Sequence, residues 1–134
     1  MATVLIAYGT TEGQTSKIAQ HMAARLEQQG HKAQTVLAGD AIDKDLAGYD
    51  VVAVGASMHE GRYQREVRRF VKAHRAELEA ARTAFFSVSL GAASDDPQEH
   101  ARVETVIGEF CSGCDWTPTM TRSFAGALRY TQYS

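Results

Sequence analysis

The chain has 134 residues, with 14 Lys and Arg against 16 Asp and Glu, a formal charge of -2, and 44% hydrophobic residues. That length suits one domain with a single core, and the near balance of charge gives no electrostatic footprint for nucleic acid. Two cysteines do not make a secreted disulfide scaffold, no apolar run approaches the roughly 20 residues of a membrane span, and the start lacks a basic leader with a long apolar stretch. A soluble cytoplasmic protein is therefore expected.

The elements alternate along the chain. Residues 4–8 read as a buried strand, and Thr15, Ile18, Ala19, Met22, Ala23 and Leu26 mark one face of a helix that Gly30 is placed to end. Residues 33–37 form a second strand. The connection carrying Asp40, Asp43 and Asp45 allows at most a small helix. Residues 51–55 are a third strand, followed by a helix face of Val67, Phe70, Val71, His74 and Leu78. Residues 84–90 are a fourth strand, and Val103, Val106, Ile107 and Phe110 mark the next long helix. Residues 119–124 alternate Met120, Arg122 and Phe124 with Thr119, Thr121 and Ser123, as suits an exposed edge strand. Apolar strands alternating with helices predict a parallel sheet covered on both faces. A closing helix is expected after the fifth strand, and residues 126–134 are too short and too weakly patterned to supply it. Either one sheet face near that edge is uncovered, or the sequence is a truncated portion of a longer protein.

In such a sheet ligands bind beyond the carboxyl ends of the strands, where the winding reverses. Three loops leave such ends. The first is Gly9-Thr10-Thr11-Glu12-Gly13-Gln14-Thr15. A helix start there offers backbone N–H groups and a favourable dipole to a phosphate, and Thr10, Thr11 and Thr15 add hydroxyls. Gly13 supplies conformational freedom and clearance. The stretch lacks the lysine of a nucleotide P-loop and the G-x-G-x-x-G of a dinucleotide fold. The second loop, Ser57-Met58-His59-Glu60-Gly61-Arg62-Tyr63, offers polarisable surface from Met58, His59 and Tyr63 and cationic groups from His59 and Arg62. Its plainer reading is a helix entry whose Tyr63 packs. The third, Ser89-Leu90-Gly91-Ala92-Ala93-Ser94, can lay backbone groups along a heterocycle edge.

Cys111-Ser112-Gly113-Cys114 has redox-pair or half-zinc spacing. It follows a helix rather than opening one, and no second Cys/His pair accompanies it, so ordinary thiols are expected. His21, His31, His74 and His100 read as structural or surface groups, and no metal site is expected.

These loops resemble the flavodoxin-like family, whose phosphate loop has the form Ser/Thr-x-Thr-Gly-x-Thr; Thr10-Thr11-Glu12-Gly13-Gln14-Thr15 matches except at Glu12. More narrowly, the chain is similar to the menaquinone-dependent protoporphyrinogen oxidases of bacterial haem synthesis, through Glu12-Gly13-Gln14-Thr15, Val54-Gly55-Ala56-Ser57, Gly61-x-Tyr63, Phe86-Ser87-Val88 and, most specifically, Ala125-Gly126-Ala127-Leu128-Arg129-Tyr130. The resemblance covers residues 2–130. It implies one flavodoxin-like FMN-binding domain over 1–134: a doubly wound five-stranded parallel sheet, order 2-1-3-4-5, with helices on both faces and the last helix missing. It implies FMN with its phosphate held by residues 10–15, including Gln14, and its isoalloxazine between Ser57, Met58, His59, Gly61, Arg62, Tyr63 and Ser89, Leu90, Gly91, Ala92. The flavin would carry the chemistry, leaving no catalytic side chain. Protoporphyrinogen IX or another small molecule would donate electrons, and a quinone would accept them. Glu60 stands where an aromatic is expected beside the ring, and the basic, apolar insertion and last helix that follow Gly-Ala-Leu-Arg-Tyr in the group are absent. The alternatives are a flavodoxin-like electron carrier or quinone reductase, and a flavin-free binding module. An exposed apolar strip would favour self-association or peripheral contact with the inner membrane.

Overall fold

The computed structural model describes residues 1–9, 13–59, 61–89 and 95–125. Five parallel strands form one sheet in the order β2-β1-β3-β4-β5. β1 (Thr3–Tyr8), β3 (Val51–Ser57) and β4 (Arg82–Ser89) are central and almost wholly buried, as their near-continuous apolar runs require. β2 (Lys32–Leu37) and β5 (Met120–Ala125) are the edges.

The two-residue period of the strands divides the core. Leu5, Ala7, Val52, Val54 and Phe85 face one side, where they meet Val67, Phe70, Val71, Val103, Ile107 and Phe110. Val4, Ile6, Tyr8, Ala53, Phe86 and Val88 face the other and meet Ile18, Ala19 and Ala23. Gly55 and Phe86 stand opposite each other across the β3–β4 pair. The Phe86 ring occupies the space that a Cβ on Gly55 would need, so a glycine there is a packing requirement.

Helix α1 (Gln14–Gln28) lies on the second of these faces and stops at Gly30, which adopts φ 92 while its N–H donates to the Glu27 carbonyl. The single helix expected across Val67 to Leu78 is two, α2 (Arg65–Ala73) and α3 (Arg75–Ala80), separated by His74. His74 leaves helical geometry at φ -108 and ψ 19. Its buried ring places Nε2 2.8 Å from the Ala41 carbonyl and Nδ1 3.0 Å from the Glu77 carboxylate. The break therefore ties the helix pair to the connection that follows β2, which begins with a 3-10 turn at Ala38–Asp40. Helix α4 (Pro97–Gly113) starts with Pro97 in its first turn and the Asp96 carboxylate accepting from the Gln98 N–H at 2.9 Å. No helix among the described residues is long and apolar enough to cross a membrane.

Candidate functional site

The winding reverses beside β1. The chain leaves β1 into α1 on one face and leaves β3 into α2 on the other, so a crevice opens between the carboxyl ends of these adjacent strands. Gly9 closes the floor of the crevice. Its N–H donates to the Gly55 carbonyl at 2.9 Å, and a side chain there would collide with Val67.

Gly13 follows at the N-cap of α1 with φ 84, in the left-handed region that favours glycine. A Cβ at Gly13 would meet nothing within 4 Å, so backbone conformation is what calls for glycine there. The first turn of α1 has no acidic residue and no side-chain cap. Its early amides, from Gln14 onward, have no intrahelical acceptor to use. Thr15 is fully buried, and its Oγ1 has no hydrogen-bond partner among the described residues. Amides without an intrahelical acceptor, the positive end of a helix dipole and a buried hydroxyl with no partner among the described residues are the features that suit a small oxyanion. Thr10, Thr11 and Glu12 lie outside the described residues.

The second loop is a hairpin held from both ends. The His59 N–H donates to the Arg62 carbonyl at 2.7 Å and the Arg62 N–H returns to the His59 carbonyl at 3.0 Å, with Gly61 at φ 76 in the turn. The Met58 N–H donates to the Val88 carbonyl of β4 at 2.7 Å. Gln64 pins the hairpin base: its Oε1 accepts from the Ser57 N–H at 3.1 Å and its Nε2 donates to Ser57 Oγ at 2.6 Å. Tyr63 is committed to the protein interior. Its hydroxyl donates to Ser87 Oγ at 2.9 Å, and its ring is edge-on to Phe85 and Phe110. Burial pushes its phenol up to about 12, partly opposed by the Ser87 hydrogen bond. Met58 is half-buried against the same cluster, whereas His59 and Arg62 are exposed.

Ser89, at the end of β4, is buried beside these loops. Leu90, Gly91 and Ala92 lie outside the described residues, as does Glu60. Thus Gly13, Gln14 and Thr15 come together at the start of α1, and Ser57, Met58, His59, Gly61, Arg62, Tyr63 and Ser89 at the ends of β3 and β4. Gln64 is an organising residue absent from the sequence expectations. Its only sequence signal is a polar side chain directly before α2, which normally suggests no more than a helix entry. Cys111 and Cys114 are free, buried thiols. Burial raises Cys111 to about 11 and raises Cys114 as well, as suits unreactive core groups.

The fold is that of an open, doubly wound α/β protein whose first strand-to-helix turn sets a left-handed glycine and a buried threonine at a helix N-terminus. The chain belongs to the flavodoxin-domain family, whose family model matches residues 5–134. It is similar to a protein named protoporphyrinogen IX dehydrogenase (quinone) from Escherichia coli (strain K12), with 32% identity over 129 residues spanning 96% of this chain and 71% of that protein. A protein of the same name from Leishmania major is 35% identical over 136 residues, spanning 97% of this chain and 56% of its own length. Among solved structures, the two-electron reduced flavodoxin of Megasphaera elsdenii superposes with a TM-score of 0.65 at 19% identity, covering 91% of this chain and 85% of that one. At that identity the likeness speaks to fold alone.

Proposed function

We propose that residues 1–134 form one FMN-binding domain of an oxidoreductase that oxidises protoporphyrinogen IX and passes the electrons to a quinone. The observation that carries the FMN site is the buried hydroxyl of Thr15, without a partner among the described residues and two positions after the left-handed Gly13. The residues fit a phosphate monoester: hydroxyl and amide donors converge, and no acidic side chain lies in the first turn of α1. Thr10, Thr11, Glu12, Gly13, Gln14 and Thr15 would hold the phosphate. Ser57, Met58, His59, Gly61 and Arg62 would flank the isoalloxazine on one side, with Tyr63 anchoring their loop from the interior, and Ser89, Leu90, Gly91 and Ala92 on the other. When bound, FMN supplies reversible one- and two-electron chemistry. The protein orients it. Gln64 and the Tyr63–Ser87 bond stiffen the hairpin on which ring contacts depend, and the α1 amides fix the opposite end of the ligand.

The porphyrinogen and quinone assignments draw their support from the relatives named above. A cytoplasmic location with peripheral contact at the inner membrane, where quinones dissolve, suits that electron acceptor. The test is spectroscopic. FMN titrated into the purified chain should bind and show a perturbed visible spectrum, and anaerobic protoporphyrinogen IX should bleach it. FMN uptake with bleaching by dithionite alone would identify an electron carrier or quinone reductase, and no FMN uptake would overturn both flavin readings.

A further inference from the structure

A cavity of about 280 Å3 lies between the hairpin, α2 and α4. Its walls include Gly61, Arg62, Tyr63, Arg68, Glu109 and Phe110. Arg102 on α4 also reaches the hairpin, with Nη2 3.8 Å from where a Cβ on Gly61 would sit. The guanidiniums of Arg62, Arg68 and Arg102 thus come from the hairpin, α2 and α4. Arg62 and Arg102 make no side-chain hydrogen bond or ion pair among the described residues. Arg68 lies over an aromatic ring, its guanidinium 5.5 Å from the Phe110 ring centroid, a contact that uses the face of the ring and none of the N–H donors in a hydrogen bond. Two carboxylates stand nearby: Glu109 in the cavity wall and Glu104, whose charge is felt at the Tyr63 phenol.

We infer that this cavity receives a carboxylate arm of the substrate, a propionate of the porphyrinogen, and so positions the macrocycle beside the hairpin that flanks the flavin. The inference rests on the porphyrinogen reading above. Arg62 and Arg68 against Glu109 leave the cavity wall net positive by one charge. Arginine forks are the geometric match to a carboxylate. Pockets for whole drug-sized ligands run from about 300 to 1,000 Å3, so this one is the size of an arm rather than of a tetrapyrrole.

The test compares protoporphyrin IX with its dimethyl ester, titrated into the FMN-loaded chain and followed by porphyrin fluorescence. The free acid should bind about tenfold more tightly than the ester, since charge-assisted hydrogen bonds are lost on esterification. The double variant R62Q/R102Q should erase most of that preference. R68M, which keeps an apolar stem on Phe110, should reduce it too while keeping wild-type FMN affinity. Equal binding of acid and ester, a preference that survives in both variants, or no porphyrin binding at all would overturn the inference. If protoporphyrinogen IX bleaches the flavin while the acid preference ignores the arginines, this subsite alone is wrong. An arginine-dependent preference without bleaching would keep the subsite and reject the proposed oxidation.

Discussion

A hydroxyl sealed from solvent without a partner costs about 1–3 kcal/mol, so Thr15, which finds none among the described residues, is a liability unless a ligand completes it. Its neighbour in the chain shows the contrast: Ser16 Oγ donates to the Tyr8 hydroxyl at 3.2 Å and needs nothing further. Replacing Thr15 by valine keeps the branched shape and removes only the orphaned group. In the FMN-free protein, Thr15→Val should therefore raise stability by about 1 kcal/mol in urea unfolding. The same variant should weaken FMN binding about tenfold, because a phosphate hydrogen bond goes with the hydroxyl. Thr15→Ser should keep wild-type FMN affinity. Opposite signs for stability and affinity are the signature of a site residue. A loss of stability with unchanged affinity would make Thr15 an ordinary core group and move the phosphate elsewhere.

At the scale of elements, β3 and β4 are joined by more than their ladder. The Phe86 ring lies over Gly55, so Gly55→Ala forces the ring into a face that Ile6, Ala53 and Val88 already fill. Overpacking of this kind costs about 1–3 kcal/mol, and Gly55→Ala should lie near the top of that range in urea unfolding. Because Gly55 also receives the Gly9 N–H, the substitution should weaken FMN binding as well. The strand itself was legible from its apolar run, but the need for glycine was not, since it comes from a ring 31 residues away. The same division holds elsewhere. The anion-binding turn could be read locally, because glycine and hydroxyls between a strand and a helix are themselves the chemistry. The Tyr63–Ser87 and Ser57–Gln64 bonds could not be, because each depends on where the fold returns the chain. The α2–α3 break was hidden for a third reason. Leu78 N–H donates to the His74 carbonyl and His74 N–H to that of Phe70, so the four-residue spacing of the apolar face continues through the interruption.

Across the whole molecule, the larger core face gathers groups that resist losing a proton. Phe85 is the centre of an aromatic cluster with Tyr63, Phe110 and Trp116, and Cys111 and Cys114 border the same core. Burial raises the Tyr63 phenol from 10.0 to about 12 and the Cys111 thiol from 9.0 to about 11, the latter helped by the neighbouring Cys114. In each case the folded chain holds the proton more tightly than the unfolded chain does. The linkage sign follows: unfolding releases protons above the unfolded pKa, so stability is fully present below pH 9 and is lost as pH rises through the window to about 12. For Tyr63 alone, a shift of this size corresponds to about 2 kcal/mol by the upper end of that window. Urea midpoints should therefore stay level from neutral pH to near 9 and then fall. Tyr63→Phe starts lower, because Ser87 loses its donor, but should fall less steeply above pH 10. Cys111→Ala should flatten the earlier part of the decline, from 9 upward. A wild-type profile that stayed level into the Tyr63 window would mean that solvent reaches these groups. The hairpin would then lack the buried anchor that holds its base against β4, and the proposed FMN and propionate sites, which share that hairpin, would lose their common support.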